Sequence, residues 1–141
     1  MKSVILVSML LSFGLCDVQL HVKGTLSCSR PFNYKLSLWE EDDLDNDLVN
    51  ELKIRSSGNT SAKYEISGRP SDLFDPVVEP VLVIEHTCAK NTLMSCVCHE
   101  FGHISTDLDV TVDVDLESGK FEYCSVCKTA AGRRDNALML E

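Results

Sequence analysis

Basic residues are scarce in this chain. Lys and Arg number 13 against 22 Asp and Glu, giving a formal net charge of −9 over 141 residues. That balance excludes the usual electrostatic routes to nucleic acid or to an anionic lipid surface, both of which need a surplus of cations. Long apolar runs are scarce too. One occurs at the start, "SVILVSMLLSFGL", and none of spanning length follows it, so no transmembrane segment is expected in the rest of the chain. The first run follows Met1-Lys2 and ends near Gly14 and Cys16, small residues three and one positions before Asp17. A basic start, a short apolar stretch and small residues afterwards describe a secretory leader over residues 1–16. Its removal would take Lys2 and Cys16 with it. Residues 17–127 then form one domain, and residues 128–141, "KTAAGRRDNALMLE" from Lys128, form a tail without strong periodicity.

What remains is rich in cysteine for its size. Cys28, Cys88, Cys96, Cys98, Cys124 and Cys127 follow the leader. An even number in a short secreted chain reads as a disulfide framework, with about 15 possible pairings that spacing alone does not choose between. Asn59-Thr60-Ser61, set in "SSGNTSA", is a glycosylation acceptor triplet in a loop-like context.

Period-two alternation dominates. "VQLHVKGTL" places Val18, Leu20, Val22 and Leu26 on one face and Gln19, His21, Lys23 and Thr25 on the other. Leu36 and Leu38 repeat the pattern, as do Leu52 with Ile54 and Tyr64 with Ile66, the last two pairs flanking a turn at Gly58 and Asn59. Val81 to Ile84 is apolar on both faces, as a central strand is. "DLDVTVDVDL" alternates five aliphatic residues, from Leu108 to Leu116, with Asp109, Thr111, Asp113 and Asp115. About seven short strands with turns between them predict an all-β sandwich of two antiparallel sheets.

Two motifs point to metals. His99-Glu100-Phe101-Gly102-His103 is a literal HExxH. On a helix its histidines bind zinc and its glutamate serves as the general base of a hydrolase. Asp109 occupies the third ligand position of the longer form of that pattern. Met94, Val97, Phe101 and Ile104 do recur at helical spacing. Against a helix stand Gly102 in its interior, Thr106 where the longer pattern has glycine, and the membership of Asp109 in the clearest strand of the chain. In a strand, His99 and His103 would lie roughly 13 Å apart along the backbone and could not share one ion. The second motif is the acidic stretch "EEDDLDND". Asp43, Asp45 and Asp47 have calcium-loop spacing, but Leu48 and Ile54 stand where glycine and a bidentate glutamate are required. A solvated loop is the expectation there.

Taken together, "VKGTLSC", "YKLSLWEEDDLDND", "SGNTSAKYEISG", "DPVVEPVLVIEHTC" and "DVTVDVDLE" followed by "EYC" resemble the nematode transthyretin-like family, over Val18 to about Cys124. Cys28, Cys88, Cys96 and Cys124 fit the order of that family's cysteines. The resemblance implies a prealbumin-like sandwich, an extracellular location, no known enzymatic activity and no cofactor. It also implies a binding or bridging role toward an unidentified extracellular protein or cell-surface ligand. Cys98 and Cys127 are additions to the family pattern and suggest a third disulfide, with Cys98–Cys127 as one pairing. The resemblance places Cys96 and Ile104 in a strand. Cys96, Cys98, Glu100, Gly102 and Ile104 then share one face, and His99, Phe101 and His103 share the other, with the two histidines at the surface. His86 shares a face with Leu82, Ile84 and Cys88 and is expected to be partly buried near the cystines, as a hydrogen-bonded core histidine.

The purine-pathway hydrolases of the same fold carry a first-strand histidine near the position of His21. They also end in a Tyr-Arg-Gly-Ser motif, which this chain lacks, so His21 reads as a solvated residue. The aspartates of the penultimate strand should face outward and repel a second copy. No transthyretin-type tetramer and no anionic aromatic hormone ligand are expected. The alternative function is a small secreted zinc-dependent hydrolase using His99, Glu100 and His103.

Overall fold

The computed structural model describes residues 16–41, 46–72, 76–88 and 94–118. Eleven strands run through them: β1 (Cys16–Asp17), β2 (Leu20–Ser27), β3 (Asn33–Glu41), β4 (Asn46–Glu51), β5 (Arg55–Ser56), β6 (Ser61–Gly68), β7 (Ser71–Asp72), β8 (Pro80–His86), β9 (Ser95–Glu100), β10 (Leu108–Thr111) and β11 (Val114–Asp115). Strands β1 and β7 form a small ribbon of their own. The rest make two sheets.

One sheet runs β4-β3-β8-β9, with β5 joined to β3 beyond the end of β4, and all of its pairs are antiparallel. In the other, β2 pairs antiparallel with β6 on one side and parallel with both β10 and β11 on the other. The chain is thus the expected β-sandwich, with one refinement. The aspartate-rich strand runs parallel to the first long strand, which the alternation of side chains could not reveal. It is also broken in two. Counting β10 and β11 as one interrupted strand, and setting aside the two-residue β1, β5 and β7, leaves seven principal strands among the described residues.

Alternation explains the core. The inward residues Leu20, Val22 and Leu26 of β2 and Tyr64 and Ile66 of β6 meet Leu36 and Leu38 of β3 and Leu82 and Ile84 of β8 in one buried cluster. Val112 and Leu116 close it beneath the acidic edge, with Leu108, Val110 and Val114 packed alongside. Strand β8 is buried on both faces. Its outer residues Val81 and Val83 join Cys96 in a second cluster, flanked by Trp39 and Cys98. Ile54 departs from expectation. Strand β4 ends at Glu51, and Ile54 is 61% exposed while Leu52 packs against the core.

Cys28, just past β2, is bonded to Cys88, just past β8, across 60 residues. The bond ties one sheet to the other at one end of the sandwich. Both half-cystines are buried.

The break between β10 and β11 has a local cause. Tyr64 donates its hydroxyl to the carbonyl of Val112 at 2.6 Å. The amide of Val112 donates to Lys23 O at 2.8 Å, and Asp113 accepts the Thr25 amide at 2.8 Å through its side chain. The backbone at Val112 therefore lies directly over Gly24. A Cβ on Gly24 would sit 2.0 Å from Val112 O. Burial, with the charge of Asp113 as a smaller contribution, pushes the Tyr64 hydroxyl up to about 12, which keeps it a donor at any physiological pH.

The close approach over Gly24 has two expected outcomes. Gly24→Ala forces the edge strand off β2 and costs about 3 kcal/mol, while Tyr64→Phe, which removes one buried hydrogen bond, costs about 1–2 kcal/mol. Urea unfolding of the oxidised protein measures both. A Gly24→Ala midpoint equal to that of the parent would contradict the close approach at Val112. Replacing Cys28 and Cys88 together by alanine should lower stability by about 2–4 kcal/mol, read in the same experiment.

Candidate functional site

The HExxH segment is not helical. His99 and Glu100 close strand β9, in register with Leu82 and Val81 of β8. Gly102 takes φ +69°, a left-handed conformation that side-chain-bearing residues avoid. It ends the strand and turns His103 away. His103 lies in the open, with Nδ1 2.7 Å from Glu79 Oε1, while Ile104 bridges to Val78. His99 corrects the expectation of two surface histidines. It is half-buried, stacks edge-on against Phe101 at 4.9 Å, and burial lowers its pKa. Asp109 belongs to the other sheet. The three proposed ligands His99, His103 and Asp109 are therefore not brought together. Among the described residues, one group of ligand-type atoms lies within 4.8 Å of one another, that of Cys28, Cys88 and Glu117. Its two sulfurs are committed to the disulfide.

His86 is where the sequence placed it. It is fully buried, in line with Leu82 and Ile84 and next to the cystine, and its Nδ1 accepts the amide of Cys88 at 3.2 Å. Burial lowers its pKa to about 4. It is a neutral core histidine at physiological pH.

The polar site that the fold assembles lies on the outer face of the mixed sheet. Three columns of side chains stand there in register. Strand β2 supplies His21, Lys23 and Thr25, β6 supplies Ser67, Glu65 and Lys63, and β10 supplies Asp109 and Thr111. His21 is held from both sides. Its Nε2 is 2.7 Å from Glu65 Oε1 and its Nδ1 is 3.1 Å from Asp109 Oδ2. Lys23 donates to the other oxygen of Asp109 at 3.0 Å. Asp109 and Glu65 together raise the pKa of His21, and His21, then Lys23, lower that of Asp109. His21 is thus no solvated bystander. Alternation had put His21 and Asp109 on polar faces, but pairing across three strands depends on register, which no local pattern carries.

The outward aspartates also have a backbone role. Asp107 accepts the Gln19 amide at 2.8 Å, Asp113 that of Thr25 at 2.8 Å and Glu117 that of Ser29 at 3.1 Å. A shallow open depression beside them is lined by Lys23, Thr25, Arg55, Lys63, Thr111 and Asp113 among others. Both nitrogens of His21 are occupied, so it is poorly placed to take up a proton from a substrate. The face combines charges of both signs on a flat, rigid support.

Cys96 and Cys98 are both disulfide-bonded. Cys124 and Cys127 lie outside the described residues, as do Asp43, Asp45, residues 1–15 of the expected leader and the tail; Cys16, the last residue assigned to the leader, is in β1. Asn59 is exposed on the turn before β6, where its side-chain oxygen accepts the amide of Ser61 at 3.3 Å. No protein-family model, no curated protein and no solved structure matches this chain.

His86 generates a pH prediction with a definite sign. Unfolded, it takes up a proton near its ordinary value of 6.5; folded, only near 4. Between those values the unfolded chain binds more protons, so its contribution is complete above pH 6.5 and is lost as pH falls toward 4. The span corresponds to at most roughly 3 kcal/mol. His86→Gln should flatten the stability profile over this window in urea titrations at several pH values. An unchanged profile would show that His86 is not held neutral by the fold.

Proposed function

We propose that this chain is a secreted, non-enzymatic, transthyretin-like extracellular module. It binds or bridges another extracellular protein or a cell-surface ligand and uses no cofactor. The observation that carries this reading is the outer face of the mixed sheet: exposed, of mixed charge, and built on two paired ladders. Such a face suits docking against a complementary polar surface better than enclosing a small substrate. Further support comes from the cystine joining the sheets, which suits an oxidising compartment, and from the exposed Asn59 triplet. The first long strand and the aspartate-rich strand also lie side by side in one sheet. The outward carboxylates disfavour stacking two such faces, so the module acts without a transthyretin-type tetramer.

The test uses the full chain expressed with its leader in a eukaryotic secretory host. The medium should contain a protein with no free thiol by alkylation and mass measurement, glycosylated at Asn59, and well below tetramer mass by light scattering at physiological salt. It should bind the surface of cells or extracellular matrix. Lys63→Glu with Thr111→Arg, two exposed changes on the outer face, should reduce that binding at least tenfold without moving the melting temperature. Retention inside the cell, or binding indifferent to both substitutions, would overturn the reading. Stoichiometric zinc lost on His103→Ala, accompanied by hydrolysis of peptide substrates, would replace it with the hydrolase.

A further inference from the structure

The Glu65–His21–Asp109 bridge spans all three columns of the mixed sheet, and its chemistry depends on one proton. An imidazole can hold two carboxylates at once only when both ring nitrogens carry hydrogen, which makes it a cation. We propose that this bridge is a proton-dependent latch that fastens the edge strand β10 to β2, closed when His21 is protonated and loosened when it is neutral.

The geometry identifies the contact that fails. Neutral His21 has one N–H to offer. Asp109 keeps a second cation, Lys23 Nζ, at 3.0 Å. Glu65 has no ion-pair partner besides His21 among the described residues, and its contact with His21 is the shorter, 2.7 Å against 3.1 Å. The remaining proton therefore stays on Nε2, facing Glu65. Nδ1 then turns a lone pair toward Asp109 Oδ2, and an attraction becomes a repulsion. Strand β10 is four residues long and, among the described residues, has β2 as its one strand partner, so it feels the change most.

The charged groups that face His21 are few. Glu65 stands on β6 with Lys63 two positions further along the same face, Asp109 stands on β10 with Asp107 just before it, and Lys23 lies on β2 itself. Asp107 is engaged with the Gln19 amide. The two carboxylates in direct contact outweigh the one neighbouring lysine, which holds the proton on His21 above its ordinary range. The sign follows. The latch is fully closed below pH 6.5 and opens as pH rises through the elevated value. This is opposite in direction to the acid sensitivity of His86. It is independent of the proposed binding role, because it concerns the fastening of β10 alone.

The test is carried out on the oxidised full-length protein by NMR. The His21 ring protons should titrate above 6.5, and Glu65→Gln or Asp109→Asn should each bring the midpoint down. Hydrogen exchange then reports on the strand. The Leu108 and Val112 amides, which donate to Gln19 O and Lys23 O at 2.9 and 2.8 Å, should lose about five-fold in protection across that titration, after correction for base-catalysed exchange. The Leu52 amide, bonded to Leu36 O in the other sheet, serves as the internal reference and should not change. In His21→Gln the pH dependence at Leu108 and Val112 should vanish, whatever the absolute stability of the variant. A His21 midpoint at or below 6.5, or the same loss of protection in His21→Gln, would overturn the latch.

Discussion

The sandwich is organised around β2, the one strand among the described residues whose backbone is paired along both edges in different senses. On one side β6 runs antiparallel to all eight of its residues. On the other, β10 and β11 run parallel. A parallel edge has slanted hydrogen bonds and is slightly the weaker arrangement, and here it is interrupted at Val112 and Asp113. Carboxylates make up the deficit. Asp107, Asp113 and Glu117 accept amides of Gln19, Thr25 and Ser29, and Asp109 reaches His21, each pair 88 residues apart. That constant offset means the side chains follow the same register as the strands. The acidity of "DLDVTVDVDLE" is therefore partly structural: the aspartates substitute as acceptors where the ladder is irregular.

The alternating apolar pattern was a sound guide to which residues face inward. Leu20, Val22, Leu26, Leu36, Leu38, Tyr64 and Ile66 are all buried as their spacing implied, because a one-residue slip would turn every one of them to solvent. The outward placement of Asp109, Thr111, Asp113 and Asp115 followed from the same argument. Strand direction was not legible, since a parallel and an antiparallel neighbour place the same residues inward. Nor was the interruption over Gly24, which depends on the Tyr64 hydroxyl reaching a carbonyl 48 residues away in sequence. Ile54 was assigned by its alternation with Leu52, but the strand had already ended.

The histidines show how much function depends on that missing information. His99 and His103 form the most arresting string in the sequence, yet Gly102 sends them to different surroundings. His21 carried no motif at all and sits in the most ordered polar constellation of the described residues. A motif of this kind records residue types at a chain spacing, and the spacing has chemical meaning in one backbone conformation alone. His21 acquires its partners through register between strands 44 and 88 residues apart.

The parallel pairing of β2 with β10 and β11 also has a mechanical consequence. Strand β2 begins at Leu20 and the parallel β11 ends at Asp115, at opposite ends of one seam. Tension applied between those two ends would pull the neighbours in opposite directions along their length. Their hydrogen bonds would be loaded together, in shear, instead of parting one after another as in a peeled hairpin. Once that seam gave way, the Cys28–Cys88 bond would withhold its 60-residue loop from extension, roughly 200 Å of chain at full stretch.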